Sequence, residues 1–382
     1  MSEYQYYEFQ AIDRPLTEKE MRELRPYSTR ARITPTSFVN DYSWGSFKGN
    51  VDAWMEKYFD AFLYFANWRT HILKLRLPSR LLDLRTARLY CPGEGAFVRE
   101  KNGKVIVTLM SEDEGGDEWV EGEGLLSSLI SVRAEIARGD LRCLYLGWLL
   151  CAQNGELDEE EIEPPVPPGL GQLSASLESL IEFLSIDLNL IHAGAQASQP
   201  LEIAGPKQEE IKDWVGKLPS AEKDEMLTRI ITGQDVTLAT ELFRRFNEER
   251  RPGERPSAEK SQRRMVGELR QAAEERAEEH RRLAAKKAAE EKARRDREAA
   301  MAREKYLQEI AGREPQLWNQ LKELIATKQP KKYDQAVKLL VDLRDLAARK
   351  GKREEFEGRL NALRADEARK PSFIKRLGTV GL

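Results

Sequence analysis

The chain has 382 residues, 33% of them charged, with a mean hydropathy of -0.62, a formal net charge of -3 and a pI near 6.0. That length accommodates two or three domains, one of them large enough to bury a proper core. The near-neutral balance argues against a nucleic-acid binder driven by bulk positive charge. The three cysteines, Cys91, Cys143 and Cys151, have no paired spacing; they imply no disulfide framework and point to reduced thiols in a cytosolic protein.

The opening MSEYQYYEFQAIDRP has neither the basic nor the apolar region of a signal peptide. Within it Tyr7, Phe9 and Ala11 alternate with Glu8 and Gln10, which predicts a strand. Thr17 and Glu20 have capping-box spacing at the start of a short helix carrying Met21 and Leu24. Residues Arg32 to Trp44 read as extended or loop-like. In NVDAWMEKYFDAFLYF the aromatics recur at i,i+4, so a helix is expected from near Asp52 with an aromatic stripe through Phe62.

THILKLRLP alternates Leu73, Leu75 and Leu77 with Lys74 and Arg76, a half-buried strand ended by Pro78. AFVREKNGKVIVTLM is two strand runs joined by Asn102-Gly103, a dipeptide suited to a type I′ hairpin turn. The acidic SEDEGGDEWVEGEG is a surface loop, and LLSSLISVRAEIARGD an amphipathic helix stopped at Gly139. Leu141 to Ala152 is the longest apolar run; a membrane span needs about 20 residues, so a buried helix is expected instead.

NGELDEEEIEPPVPPGLGQ, acidic and proline-rich, predicts a stiff solvated connector. One helix follows from Leu173 through Ile191, then three short helices interrupted at Pro219 and Gly233. Glu259 to Gly312 is rich in Ala, Glu, Lys and Arg and holds no proline, which predicts one long helix. Its seam of Met265, Leu269, Ala272 and Ala273 fades into alanine, too weak for a stable coiled coil. Its basic pairs Arg263-Arg264, Arg281-Arg282, Lys286-Lys287 and Arg294-Arg295 interleave with glutamates, so a charged spacer or a docked Ala-rich helix is expected, and nucleic-acid contact is not. Three compact helices close the chain, with apolar stripes at Leu317, Leu321 and Leu324, at Tyr333 through Ala347, and at Phe356, Leu360 and Leu363.

The expected architecture is therefore an α+β domain over 1–155, a helical region over 172–250, the long charged helix over 258–312 and a small TPR-like helical module over 313–382. Metal and catalytic signatures do not emerge. His71, His192 and His280 lie far apart outside any H-E-x-x-H pattern, and His192 suits a capping or partner contact. The glycines of PGEGAFVREK and EGGDEWVEGEG sit among acids, where a phosphate would be repelled. The run Asp158 to Glu161 lacks the ligand alternation of an EF-hand.

The stretch YDQAVKLLVDLRDLAARKGKREEFEGRLNALRADEARKPSFIKRL, closing on GL, resembles the C-terminal helical region of bacterial SWIM-type zinc-finger proteins, which also end in a basic KPS segment and a terminal Gly-Leu. WVGKLPSAEKDEMLTRIITG and LIEFLSIDLNLI are similar to an uncharacterised bacterial family. The finger itself, C-x-C followed by C-x-H, is absent, so zinc binding does not carry over.

The sequence thus favours a non-enzymatic cytosolic adaptor with a protein partner, no membrane and no cofactor, metal or catalytic residue assigned. One alternative is an enzyme or nucleic-acid-processing accessory assembled from residues such as Asp41, Asp83, Arg85 and His71. Another is regulation by proteolysis within 248–264.

Overall fold

The computed structural model describes residues 4–112, 122–201, 207–232, 237–250 and 263–382. The chain divides into two compact units, 1–279 and 280–382. The acidic loop read at 111–124 and the proteolysis segment read at 248–264 fall largely outside the described residues.

The first unit is built on a seven-stranded sheet of β1 (Gln5–Gln10), β2 (Arg32–Ile33), β3 (Ser37–Tyr42), β4 (Ala61–Ala66), β5 (Thr70–Pro78), β6 (Ala96–Lys101) and β7 (Lys104–Glu112), in the order β2-β3-β1-β4-β5-β7-β6. Every pairing is antiparallel. Two hairpins set the register of its central and edge strands. Asn102 and Gly103 take φ of 54° and 69°, the left-handed pair that a type I′ turn requires, and join β6 to β7 as the dipeptide predicts.

Helices cover both faces of this sheet, so its strands are apolar on both sides. On one face Tyr7, Phe9, Phe38 and Phe62 pack against Trp54 and Met55 of the helix α2 (Val51–Lys57), with the Phe9 and Phe62 ring centroids 4.5 Å apart. The short helix α1 (Glu18–Leu24) joins the same side through buried Leu24, and its capping box of Thr17 and Glu20 is present as expected. On the other face Leu63, Leu73, Leu75, Leu77, Val107 and Leu109 form one core with the helices that follow.

Those helices are α3 (Leu84–Tyr90), α4 (Leu125–Leu129), α5 (Ser131–Ala137), α6 (Arg142–Gln153), α7 (Ala175–Leu184) and α8 (Leu188–Ala195). The apolar run 141–152 is the buried helix α6, whose residues from Arg142 to Ala152 are all buried. Gly147 lets it lie close to the sheet, since a Cβ there would stand 2.8 Å from a methyl of Leu109 and 3.0 Å from that of Ala96.

Three local expectations are corrected. The aromatic helix begun at Val51 stops at Lys57, and Ala61–Ala66 is strand β4, because pairing with β1 and β5 outweighs the i,i+4 spacing. The helix read as continuous from Leu173 breaks at Ser185, which has a φ of 54°, and restarts with Asp187 accepting from the Asn189 N–H at 2.8 Å. The proline-rich connector is solvated only in its acidic half. Glu163, Pro167 and Leu170 are buried, and the Tyr90 hydroxyl donates to the Pro165 carbonyl at 2.6 Å.

Three short helices follow as expected, α9 (Gln208–Lys217), α10 (Ser220–Ile231) and α11 (Leu238–Arg250). Arg80, after β5, joins them by an ion pair to Glu241 at 2.8 Å and a hydrogen bond to Thr237 at 2.6 Å. The long helix is α12 (Val266–Ile310). Its first turns belong to the first unit, with Val266, Leu269 and Ala273 buried among the core helices and Arg270 donating to the Ala152 carbonyl at 2.6 Å. From Glu278 to Ala302 every residue is exposed except half-buried Glu291.

In the second unit the end of α12 is followed by α13 (Glu314–Ala326), α14 (Pro330–Arg349), α15 (Arg353–Asp366) and α16 (Pro371–Thr379). The sequence pattern shows three of these four; α16 lies in the basic KPSFIKRL segment, where Phe373 and Leu377 are fully buried. α14 is central and packs against α13, α15 and α16, around Leu321, Ile325, Leu340, Phe356 and Phe373. Arg303 of α12 pairs with Asp342 and Asp345 of α14, and the Tyr306 hydroxyl donates to Asp342 at 3.0 Å. Among the described residues no helix is long and apolar enough to cross a membrane.

Candidate functional site

One concave feature with mixed chemistry is a cleft of about 250 Å³ in the first unit, between the β4–β5 hairpin and the helices α4 and α7. The hairpin loop is three residues, Asn67, Trp68 and Arg69. The Arg69 N–H donates to the Ala66 carbonyl at 2.8 Å, and Arg69 takes a φ of 65°. A three-residue hairpin needs a left-handed residue at this place, usually glycine. Asn67 is pinned to the neighbouring strand, accepting the Tyr4 N–H on its side-chain oxygen at 2.9 Å and donating its own N–H to the Tyr4 carbonyl at 3.0 Å.

His71 stands two residues after Arg69, opposite Phe65 in the β4 register. Its ring is stacked on Phe65, with centroids 5.1 Å apart and planes at 10°, and on Phe183 of α7 at 5.0 Å and 30°. With both faces covered, the imidazole is fixed in orientation and offers only its edge. Leu125 and Leu129 of α4 supply apolar wall, while Arg69, Glu182, Ser128, Ser179 and Ser185 supply polar wall. A cleft of this make-up can seat a small molecule with an apolar body and a few polar groups.

Of the four residues named for an assembled site, only His71 lines this cleft. Asp41 is exposed on β3 opposite Tyr6. Asp83 caps α3, accepting from the Thr86 N–H and hydroxyl at 2.9 and 3.0 Å, and the Thr86 N–H holds its carboxyl below the usual range. Arg85 is exposed on the same helix. Glu182, Ser179 and Arg69 escape the sequence reading. For Arg69 a signal exists in the three-residue gap between two strand runs; Glu182 and Ser179 reach the cleft only through the packing of α7.

The other ionised groups are organised for structure. Asp52 pairs with Lys74 and Arg99, Glu56 with Lys101, and Asp60 with Arg76 at 2.6 Å, so the acids of α2 and of the residue before β4 form a seam along the basic residues of β5 and β6. Burial raises the Asp60 carboxyl, but the Arg76 charge and the N–H groups of Asp13 and Ile12 bring it below its ordinary value. At Asp13 burial prevails over the charge of Arg133 and its carboxyl is raised.

Lys104 is lowered by burial and by the charge of Arg76. All three cysteines are buried, and burial pushes each thiol up. His192 is exposed in the last turn of α8 and His280 is exposed on α12. Among the described residues no group of three or more His, Cys, Asp or Glu is placed to hold a metal ion. Compared with protein-family models, curated proteins and solved structures, the chain matches none.

Proposed function

We propose that this chain acts as a protein-interaction module, an adaptor whose partner docks on the helices α9 to α11. The observation that carries this reading is an aliphatic stripe on α10. Leu227, Ile230 and Ile231 stand at i, i+3 and i+4 and are 56%, 56% and 83% exposed, with Val215 of α9 exposed by 41%. Side chains of this size are exposed together where a helix presents an apolar face to a partner's groove. The stripe is displayed by a three-helix segment joined to the sheet through Arg80.

The test is affinity purification of the full chain from its source cells, set beside the variant Leu227→Ser/Ile230→Ser/Ile231→Ser, whose substitutions lie at exposed positions. A protein retained by the parent and lost by the variant supports the reading. The same retained set for both overturns it.

A second reading is favoured by the cleft at His71. There a small organic molecule would lie against Phe65, Phe183 and Leu129, with Arg69 and Glu182 as its charged contacts. Thermal-shift screening with small carboxylates and amines, repeated on His71→Ala and Glu182→Gln, tests it; shifts unaltered in both variants would count against it.

A further inference from the structure

The near-zero net charge of the whole chain conceals a partition at the boundary between the two units. Residues 280–382 hold 27 Lys and Arg against 16 Asp and Glu, a net +11, whereas residues 1–279 hold 35 against 49, a net -14. The bulk balance that argues against a polyanion partner therefore describes neither unit. Charge asymmetry on this scale between two parts of one chain is an electrostatic footprint.

The exposed part of α12 carries a net +4 of this +11. From His280 to Ala302 there are eight Lys and Arg against four Asp and Glu. Glu291 is occupied by Arg294 at 3.0 Å and Arg295 at 3.1 Å. Arg282, Lys286, Lys287, Lys292 and Arg297 are exposed and make no ion pair among the described residues. At about 100° per residue Arg282, Lys286 and Arg297 fall within about 60° of one another, on a face about 22 Å long.

We propose that the exposed stretch of α12 from Arg282 to Arg297 binds the phosphate backbone of a nucleic acid. Neutralising phosphates releases condensed counterions, so a row of cations suffices for affinity without an apolar anchor. A membrane surface needs an amphipathic helix with an apolar face. Here Leu283 and Met301 are the large apolar side chains between His280 and Ala302, too few to make one. A protein partner's interface is commonly anchored by aromatic side chains, and this stretch has none. Binding is expected to be independent of sequence, because contacts to phosphate carry no sequence information.

The experiment is fluorescence anisotropy of the full chain with a labelled duplex of about 20 base pairs and a single strand of the same length, from about 50 to 200 mM salt, compared with R282Q/K286Q/R297Q. Glutamine is a good helix former, and circular dichroism checks that helix content is retained. The parent is expected to bind with a steep salt dependence. The variant is expected to bind about 100-fold more weakly at about 0.1 M salt, with a log–log slope shallower by about two to three.

Absence of binding to both probes at about 50 mM salt overturns the proposal, and so does equal binding by the variant. Displacement of the nucleic acid by polyglutamate of equal charge concentration would assign the stretch to an acidic protein instead, and tighter binding to vesicles of anionic lipid would assign it to a membrane surface; either result overturns it. None of these outcomes touches the stripe at Leu227, whose substitutions are separate.

Discussion

Arg264 holds Glu163 by two nitrogens, Nη2 at 2.8 Å from Oε1 and Nε at 2.9 Å from Oε2, although the residues are 101 positions apart. The Tyr145 hydroxyl donates to the same Oε1, and burial, helped by the Glu163 charge, keeps the phenol well above its ordinary pKa and therefore a donor. Arg264 also donates to the Ala193 carbonyl at 2.6 Å. Glu163 is 3% exposed, so its charge depends on these partners. Arg264→Ala leaves a buried carboxylate half satisfied and is expected to cost about 3–5 kcal/mol in urea unfolding, with Glu163→Leu/Arg264→Met recovering much of it. A loss below about 1 kcal/mol would mean that the start of α12 is held by its other contacts, among them Val266, Leu269 and Arg270.

Arg69 pays a conformational penalty for its place in the cleft wall. A left-handed φ of 65° costs a side chain with a Cβ about 1 kcal/mol relative to glycine. Arg69→Gly is expected to raise stability by about 1 kcal/mol, because the β4–β5 loop requires that conformation whatever residue occupies it. Denaturation curves of the two proteins check it. Stability that is unchanged or lower would show that contacts of the Arg69 side chain outweigh the strain.

The strands at Leu73 to Leu77 and the hairpin at Asn102-Gly103 were legible because local chemistry and tertiary pairing agree there. At Ala61–Ala66 they conflict: aromatic residues spaced for a helix are drawn into β4 by β1 and β5, which no local pattern announces. The long helix was legible as a helix from its composition. Its docking was partly so, since Leu269 and Ala273 belong to the seam read from sequence, while Val266 does not. The cleft was scarcely legible. His71 is one of three scattered histidines, and its aromatic stack depends on Phe183, more than a hundred residues away in α7. The partition of charge was open to counting, but only once the boundary at 280 told where to count.

The three thiols are expected to be inert in the native protein. Cys91, Cys143 and Cys151 are buried, and burial together with Glu156 pushes Cys151 up to about 12. A thiol must ionise to attack a disulfide reagent. At pH 8 Ellman's reagent should therefore register no cysteine before unfolding and all three after it. Rapid native labelling of any one would show that the core around α6 opens readily.

The capping box at α1 makes a specific acid-range prediction. Glu20 accepts from Arg14 at 2.6 Å, from the Thr17 N–H at 2.8 Å and from the Thr17 hydroxyl at 3.0 Å, and the Arg14 bond leads in pulling its carboxyl down to about 2. A carboxyl depressed in the folded state stabilises fully above its unfolded value near 4.5 and loses that contribution as the pH falls toward 2. The stability difference between the parent and Glu20→Gln should therefore be constant above about pH 5 and narrow steadily below about 4.5. Thr17→Ala removes the reciprocal half of the box and should cost about 1 kcal/mol at neutral pH. A Glu20→Gln difference that stays flat from pH 6 to 3 would mean that the Arg14 pair is held in solvent with no net effect, leaving the Thr17 cap as the whole of the local stabilisation.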